Sequence, residues 1–109
     1  MTENPTVGAR RPTIDAFLHQ PARLSLMALL APAEWVDFGF LRDSLETTDS
    51  ALSKQVAALE DVGYVELRKE SRPRRRTVIR MSDAGRAAFA AYIDTLERIV
   101  AEVRGGPPV

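Results

Sequence analysis

The chain has 109 residues, 45% of them apolar, and its 15 basic and 15 acidic side chains leave a formal net charge of zero. This length suffices for one domain with its own core, and it is short enough that burying further surface against a second copy would help, so a dimer is suspected. Because the sequence contains no cysteine, disulfides, thiol redox switches and thiolate metal sites are excluded.

Residues 1–13, MTENPTVGARRPT, predict a flexible arm because they contain two prolines, one glycine and few apolar side chains. This stretch lacks the apolar segment of a signal peptide, and no apolar run in the chain approaches the roughly 18 residues that a membrane span requires. We therefore expect a cytoplasmic protein that makes no contact with membranes.

Apolar spacing predicts three short helices in the first half of the chain. The first begins at Ile14, after an N-terminal helix signal in the preceding Pro-Thr pair, and Pro21 interrupts it. The apolar pattern resumes over residues 22–30, and a further helix is predicted at 37–45. Between these two helices, residues 35–36 favour a very short strand.

The stretch TTDSALSKQVAALEDVGYV predicts the best-defined helix, over residues 48–62. Thr48 or Asp49 can cap its start, and Gly63 can end it in a left-handed conformation. Its apolar face consists of Leu52, Val56, Leu59 and Val62. The opposite face carries the short or cationic side chains Ser50, Ser53, Lys54 and Ala57. A face of this kind lets a helix approach a flat polar surface closely.

The densest charge lies in RKESRPRRRTVIR, residues 68–80, where seven basic side chains and Glu70 alone give a local charge of +6. Val65 and Leu67 alternate with charged residues before this run, and TVIRM at its end contains β-branched residues. The pattern predicts a β-hairpin that carries its basic residues at the tip.

A long last helix is predicted over residues 82–104, with Ser82 as its cap and Asp83 favourably placed at its N-terminus. Its apolar stripe comprises Phe89, Tyr92, Ile93, Leu96, Ile99, Val100 and Val103. At 1.5 Å per residue this helix would run roughly 33 Å, which is longer than one small domain needs, so we expect the stripe to form a dimer contact. Residues 105–109 are predicted to be a flexible tail.

Residues 14–104 therefore predict a mainly α fold with a small β-hairpin (α+β), in the form of a winged helix-turn-helix with a long C-terminal dimerisation helix. In this motif the second helix of the pair enters the major groove of DNA, and the hairpin reaches the backbone or the minor groove. The candidate DNA-binding residues are Thr48, Ser50, Ser53, Lys54, Arg42, Lys69, Arg72, Arg74, Arg75 and Arg76.

Three segments resemble the MarR-type winged-helix transcriptional regulators, and within them the small single-domain members. They are HQPARLSLMALL (19–30), FGFLRDSLETTDSALSKQVAALEDVGYVELRK (38–69) and RTVIRMSDAGRAAFAAYIDTLERI (76–99). The resemblance implies a homodimer that represses or activates transcription at a near-palindromic double-stranded DNA site, often under the control of a small-molecule effector. The chain departs from relatives at Glu46, where glycine is common, at Thr47, which replaces an apolar turn residue, and at Pro73, which precedes the three arginines.

Other sites and functions are less favoured by the sequence. His19, the only histidine, is expected to be structural, and no metal or cofactor is predicted. Trp35, Phe38, Phe40 and Tyr92 favour core positions, but they are where a ligand pocket would be sought. Without a Gly-rich phosphate loop or a recognisable triad, catalysis is not expected. The main alternative is a winged-helix module that binds an acidic protein partner; an RNA-binding winged domain and a metal-responsive repressor are weaker alternatives.

Overall fold

The structure, a computed structural model, describes residues 13–105. In chain order the elements are α1 (Pro21–Leu30), β1 (Val36–Asp37), α2 (Phe38–Ser44), α3 (Asp49–Asp61), β2 (Val65–Glu70), β3 (Arg76–Met81) and α4 (Asp83–Gly105). The predicted winged helix-turn-helix with a long last helix is confirmed. Apart from Thr13 and Gly105, the predicted arm and tail lie outside the described residues. None of the described helices is long and apolar enough to cross a membrane.

The predicted helix from Ile14 is wrong, because residues 16–18 form only a turn. The carboxylate of Asp15 accepts hydrogen bonds from the backbone N–H groups of Phe17 (2.9 Å) and Leu18 (3.3 Å) and so closes this turn. Gln20 is extended, with φ −132° and ψ 130°. A residue before proline avoids the helical region, so the chain cannot continue one helix into the next at this point.

The three strands form an antiparallel sheet in the order β1, β3, β2. Successive side chains of a strand point to opposite faces of the sheet. One face contributes Val65, Ile79 and Met81 to the core, all of them buried. The other face carries Glu66, Arg68, Glu70, Arg76 and Arg80, as the pairing of Glu66 with Arg80 and of Glu70 with Arg76 requires.

One apolar core joins the helices to this sheet. Its buried members are Leu18, Leu26, Met27, Leu30, Leu41, Leu52, Val56, Leu59, Val65, Ile79, Met81 and Tyr92. Each large apolar side chain buried in this way stabilises the fold by about 1.5–3 kcal/mol. The core therefore fixes α3 against the sheet, and it includes a residue from the first half of α4.

The start of α4 is tied to the end of the loop before β2. Ser82, the predicted cap, accepts a hydrogen bond from the N–H of Gly85 (2.9 Å) through its hydroxyl, which donates to the carbonyl of Gly63 (2.5 Å). A Cβ at Gly85 would overlap the carbonyl oxygen of Tyr64. Glycine is thus required at this position for α4 to pack this closely against the backbone.

Candidate nucleic-acid interface

Helix α3 has one buried face and one exposed face. Thr48 caps it, because its Oγ1 accepts a hydrogen bond from the N–H of Ala51 (3.1 Å), and Gly63 follows it with φ 82°. Leu52, Val56 and Leu59 are buried. The side chains exposed on the outer face include Ser50, Ser53, Lys54 and Ala57. These are the short and cationic residues that the spacing places away from the core.

The turn between α2 and α3 has a left-handed residue at Glu46, with φ 52°. This is a position at which the MarR-type resemblance leads us to expect glycine. Backbone hydrogen bonds hold the turn, from the N–H of Glu46 to Asp43 (3.1 Å) and from the N–H of Thr47 to Arg42 (3.1 Å). A non-glycine residue in this conformation costs about 1–2 kcal/mol, which the packing of the two helices offsets.

Three arginines of the hairpin are held by carboxylates on the outer face of the sheet, and we call Arg68, Arg76 and Arg80 the stem cations. Glu66 pairs with Arg80, which lies directly opposite (2.8 Å). Glu70 pairs with Arg76 opposite it (3.0 Å) and with Arg68 on the same strand (2.5 Å). Hydrogen bonds from Arg68 first, and then from Arg76, lower the pKa of Glu70 below its usual value.

The indole ring of Trp35 adds a second constraint on two stem cations. The guanidinium of Arg68 lies 4.2 Å from the ring centroid, and that of Arg80 lies 5.0 Å from it. Each such cation–π contact contributes about 0.5–1 kcal/mol at an exposed site. Ion pairs and ring contacts together fix the base of the hairpin.

The remaining basic residues of the hairpin are exposed, and among residues 13–105 none of them forms an ion pair. We call these residues, Lys69, Arg72, Arg74 and Arg75, the tip cations. Lys69 belongs to the sheet face opposite the stem cations, because it alternates with Arg68 and Glu70 along β2. The tip cations therefore offer four charges that nothing in the described part of the subunit neutralises.

Three of the tip cations, Lys69, Arg74 and Arg75, and the outer face of α3 line two adjoining cavities. A groove of about 380 Å³ between α3 and the hairpin is lined by Ser53 and Lys69, among others. A neighbouring depression of about 480 Å³ is lined by Arg74, Arg75 and residues of α2. Phe38 and Thr77 line both, so the groove and the depression adjoin each other. We call this joint surface the α3–wing surface.

Arg42 lies in the same depression but already has two acidic partners. Its guanidinium donates to Asp43 through Nε (2.9 Å) and to Asp49 through Nη1 (2.9 Å). The hydrogen bond to Asp43, followed by that to Asp49, raises the pKa of Arg42. Of the candidate DNA-binding residues, Arg42 and Arg76 are thus ion-paired within the subunit, and Thr48 serves as a helix cap.

A family model described as a winged helix DNA-binding domain matches residues 22–100. The chain belongs to this winged helix DNA-binding domain family. Uncharacterized protein MJ0432 of Methanocaldococcus jannaschii is 36% identical over 72 residues, which span 65% of this chain and 78% of that protein.

Solved structures that share the winged helix fold include two transcriptional regulators. The transcriptional regulator homologue from Pyrococcus horikoshii OT3 has a TM-score of 0.79 at 26% identity, covering 82% of this chain and 89% of that one. MarR has a TM-score of 0.67 at 14% identity, covering 76% of this chain and 61% of MarR. The MarR-type resemblance is confirmed, and the family and fold are those of DNA-binding transcriptional regulators.

The aromatic residues considered for a ligand pocket have different surroundings in this winged helix domain. Trp35 packs between arginines on the outer face of the sheet, whereas Tyr92 is buried, with only 2% of its surface exposed. Phe38 and Phe40 line the depression beside the wing. A pocket shared by all four remains a prediction.

The apolar stripe of α4 divides into two parts. Phe89, Tyr92, Ile93 and Leu96 belong to the core of the subunit or pack against it. In the part of the chain that is described, Ile99, Val100 and Val103 are outside that core, and Val103 is 76% exposed. The far end of the helix therefore leaves apolar side chains uncovered, while Tyr92 offers almost no surface to a partner.

His19 makes a structural contact. Its Nδ1 lies 2.8 Å from the hydroxyl of Tyr92, so it joins the segment before α1 to α4. Between residues 13 and 105, no group of three or more His, Asp or Glu side chains is placed to hold a metal ion.

Proposed function

We propose that this winged helix protein is a homodimeric, sequence-specific transcriptional regulator that represses by occupying a near-palindromic double-stranded DNA site. The observation that carries the proposal is the α3–wing surface, on which a helix face of short side chains and unpaired cations lie side by side. Such a surface fits a duplex, whose major groove admits a helix while the adjacent phosphates attract cations.

Helix α3 has the dimensions and chemistry of a groove-reading helix. Its outer face lacks bulky side chains, and Ser53 and Lys54 supply hydrogen-bond donors for base edges or phosphates. Thr48 and the buried leucines hold its orientation. Replacing Lys54 by alanine should change site preference by about 1–3 kcal/mol if this side chain reads a base.

The tip cations fit the backbone beside that groove. Arg72, Arg74 and Arg75 can neutralise phosphates or enter a narrow minor groove, where the negative potential is concentrated. Each neutralised phosphate releases counterions, so binding should weaken steeply as salt concentration rises.

The end of α4 supports the homodimer. Burial of Ile99, Val100 and Val103 against a second copy would remove from water the apolar surface that the subunit leaves exposed. A two-fold dimer that places its α3 helices about 34–36 Å apart would read two half-sites one helical turn apart. A dimer seated there would block access of polymerase to the same DNA.

A titration of genomic fragments by gel shift at several salt concentrations tests this proposal. The wild-type protein should retain a discrete near-palindromic sequence. Because Arg75→Ala removes one cation from each subunit of the dimer, it should lower the slope of log K against log salt by about 2 for every sequence. Arg98→Ala, which removes the same charge from α4, is the matched control and should leave the slope unchanged. An unchanged slope in Arg75→Ala, or binding only to an acidic protein partner, would contradict the proposal.

A further inference from the structure

One oxygen of the Asp49 carboxylate is available for a contact outside the subunit. Thr48 provides the helix cap, so the backbone of α3 does not occupy Asp49. The Asp49 side chain is 72% exposed, and its Oδ1 accepts from Nη1 of Arg42 (2.9 Å). Among the described residues, no donor reaches its Oδ2.

Asp49 lies at the N-terminus of α3, so its Oδ2 is at the end of the helix that enters a major groove first. Asp49 is the first residue of the helix, one turn before Ser53, and both line the groove of the α3–wing surface together with Lys69. The first residues of a groove-reading helix come closest to the base edges. Arg42 holds the carboxylate in one orientation and offsets part of its repulsion from the phosphates.

A carboxylate can only accept hydrogen bonds, and this limits the bases that it can contact. In the major groove, guanine presents acceptors at N7 and O6, and thymine presents the O4 acceptor and a methyl group. Adenine offers its N6 amino group, but the neighbouring N7 acceptor repels a second acceptor. Cytosine offers the N4 amino group without such a neighbour.

We propose that Asp49 determines specificity by accepting a hydrogen bond from the N4 amino group of one cytosine in each half-site. This inference rests on the proposed function, since it assumes that α3 lies in the major groove. It assigns to an acidic residue a reading role on a surface whose other candidate contacts are cationic or neutral.

Selection of duplexes from a random pool by wild type, Asp49→Ala, Asp49→Asn and Asp61→Asn tests the inference. The wild-type site should contain a C·G pair that Asp49→Ala no longer prefers, with discrimination at that pair reduced about tenfold. Asp49→Asn should shift the preference to adenine, because an amide pairs with both N6 and N7 of that base.

Asp61→Asn is the matched control, since Asp61 is an exposed carboxylate at the other end of α3, lies outside the α3–wing surface, and loses the same charge. It should keep the wild-type site. If Asp49→Ala keeps that site and changes affinity equally for all sequences, Asp49 reads no base and the inference is overturned. A wild-type protein that selects no sequence overturns the proposed function itself, and this inference with it.

Discussion

The stem cations and the tip cations come from one run of sequence, but the structure gives them opposite surroundings. Glu66 and Glu70 neutralise much of the stem, and the Trp35 ring lies against two of its guanidinium groups. At the tip, the four cations have no acidic partner within residues 13–105. The number of basic residues in a hairpin therefore overstates the charge available to a ligand, because some of them are already paired with carboxylates.

The difference between stem and tip affects the free energy of DNA binding in the proposed function. A network of charges and an aromatic ring at the base limits the conformations of the hairpin, so less entropy is lost when its tip meets a ligand. Cations without partners at the tip need not break an ion pair before they meet a phosphate. The stem cations and Trp35 should therefore determine stability, whereas the tip cations should determine salt-dependent binding.

The largest expected effect comes from removing three tip cations together. Arg72→Ala, Arg74→Ala and Arg75→Ala in one chain remove six cations from the dimer, so together they should weaken DNA binding about a hundredfold or more and lower the log–log salt slope by about 5. Fluorescence anisotropy of a labelled duplex across a salt series measures both quantities, and the free energy of unfolding should change little. A slope that falls by less than 1 would show that the tip does not contact phosphates.

Trp35→Ala should produce the reverse pattern. Loss of a half-buried indole and of its two cation–π contacts should lower the free energy of unfolding by about 2 kcal/mol and leave the salt slope unchanged. Because Trp35 is the only tryptophan, unfolding in urea has to be followed by circular dichroism. Equal free energies of unfolding for wild type and variant would contradict a stabilising role of the stem.

Glu70→Gln should convert stem cations into available ones. With the carboxylate gone, Arg68 and Arg76 lose their acidic partner, and affinity for non-specific DNA should rise a few-fold with a steeper salt slope. Glu97→Gln on α4 changes the net charge equally and serves as the control. Identical DNA affinities of the two variants would mean that the stem cations do not contribute to binding because they lie far from the DNA, and not because they are paired with carboxylates.

The smallest expected effect is the pH dependence of that same ion pair. Because the pKa of Glu70 is lowered in the folded state by Arg68 and Arg76, its contribution is complete above the unfolded value of about 4.3 and is lost as the pH falls through the folded value. Wild type should therefore be more stable than Glu70→Gln at pH 7, and the difference should shrink as the pH falls below about 4.3. Urea unfolding at pH 7 and at several lower pH values checks this, and a difference that does not shrink as the pH falls would contradict it.

From α1 onward, hydrophobic spacing was sufficient to predict the element order, because each buried face repeats with the period of its helix or strand. Leu52, Val56 and Leu59 show this for α3, and Gly63 ends the helix in the left-handed conformation expected of it. The helix at Ile14 was predicted wrongly because three apolar residues do not outweigh the proline that follows and the local bonds of Asp15.

The pairing of the arginines could not be predicted, because it depends on strand register. A shift of one residue in the hairpin would take Glu70 away from Arg76 and place it on another face. Likewise, the sequence allowed either Thr48 or Asp49 to cap α3, and only the backbone geometry distinguishes them. The sequence thus could not predict the features of the site that depend on strand register or on local backbone geometry.

Hydrogen exchange with and without a selected duplex tests most directly whether α3 and the wing form one DNA-binding surface. We expect the amides of residues 48–57 and 71–75 to gain protection together, at the same DNA concentration. The amides of residues 97–104 should be equally protected in the dimer with and without DNA. Protection of only one of the two segments, or of neither, would contradict a shared surface.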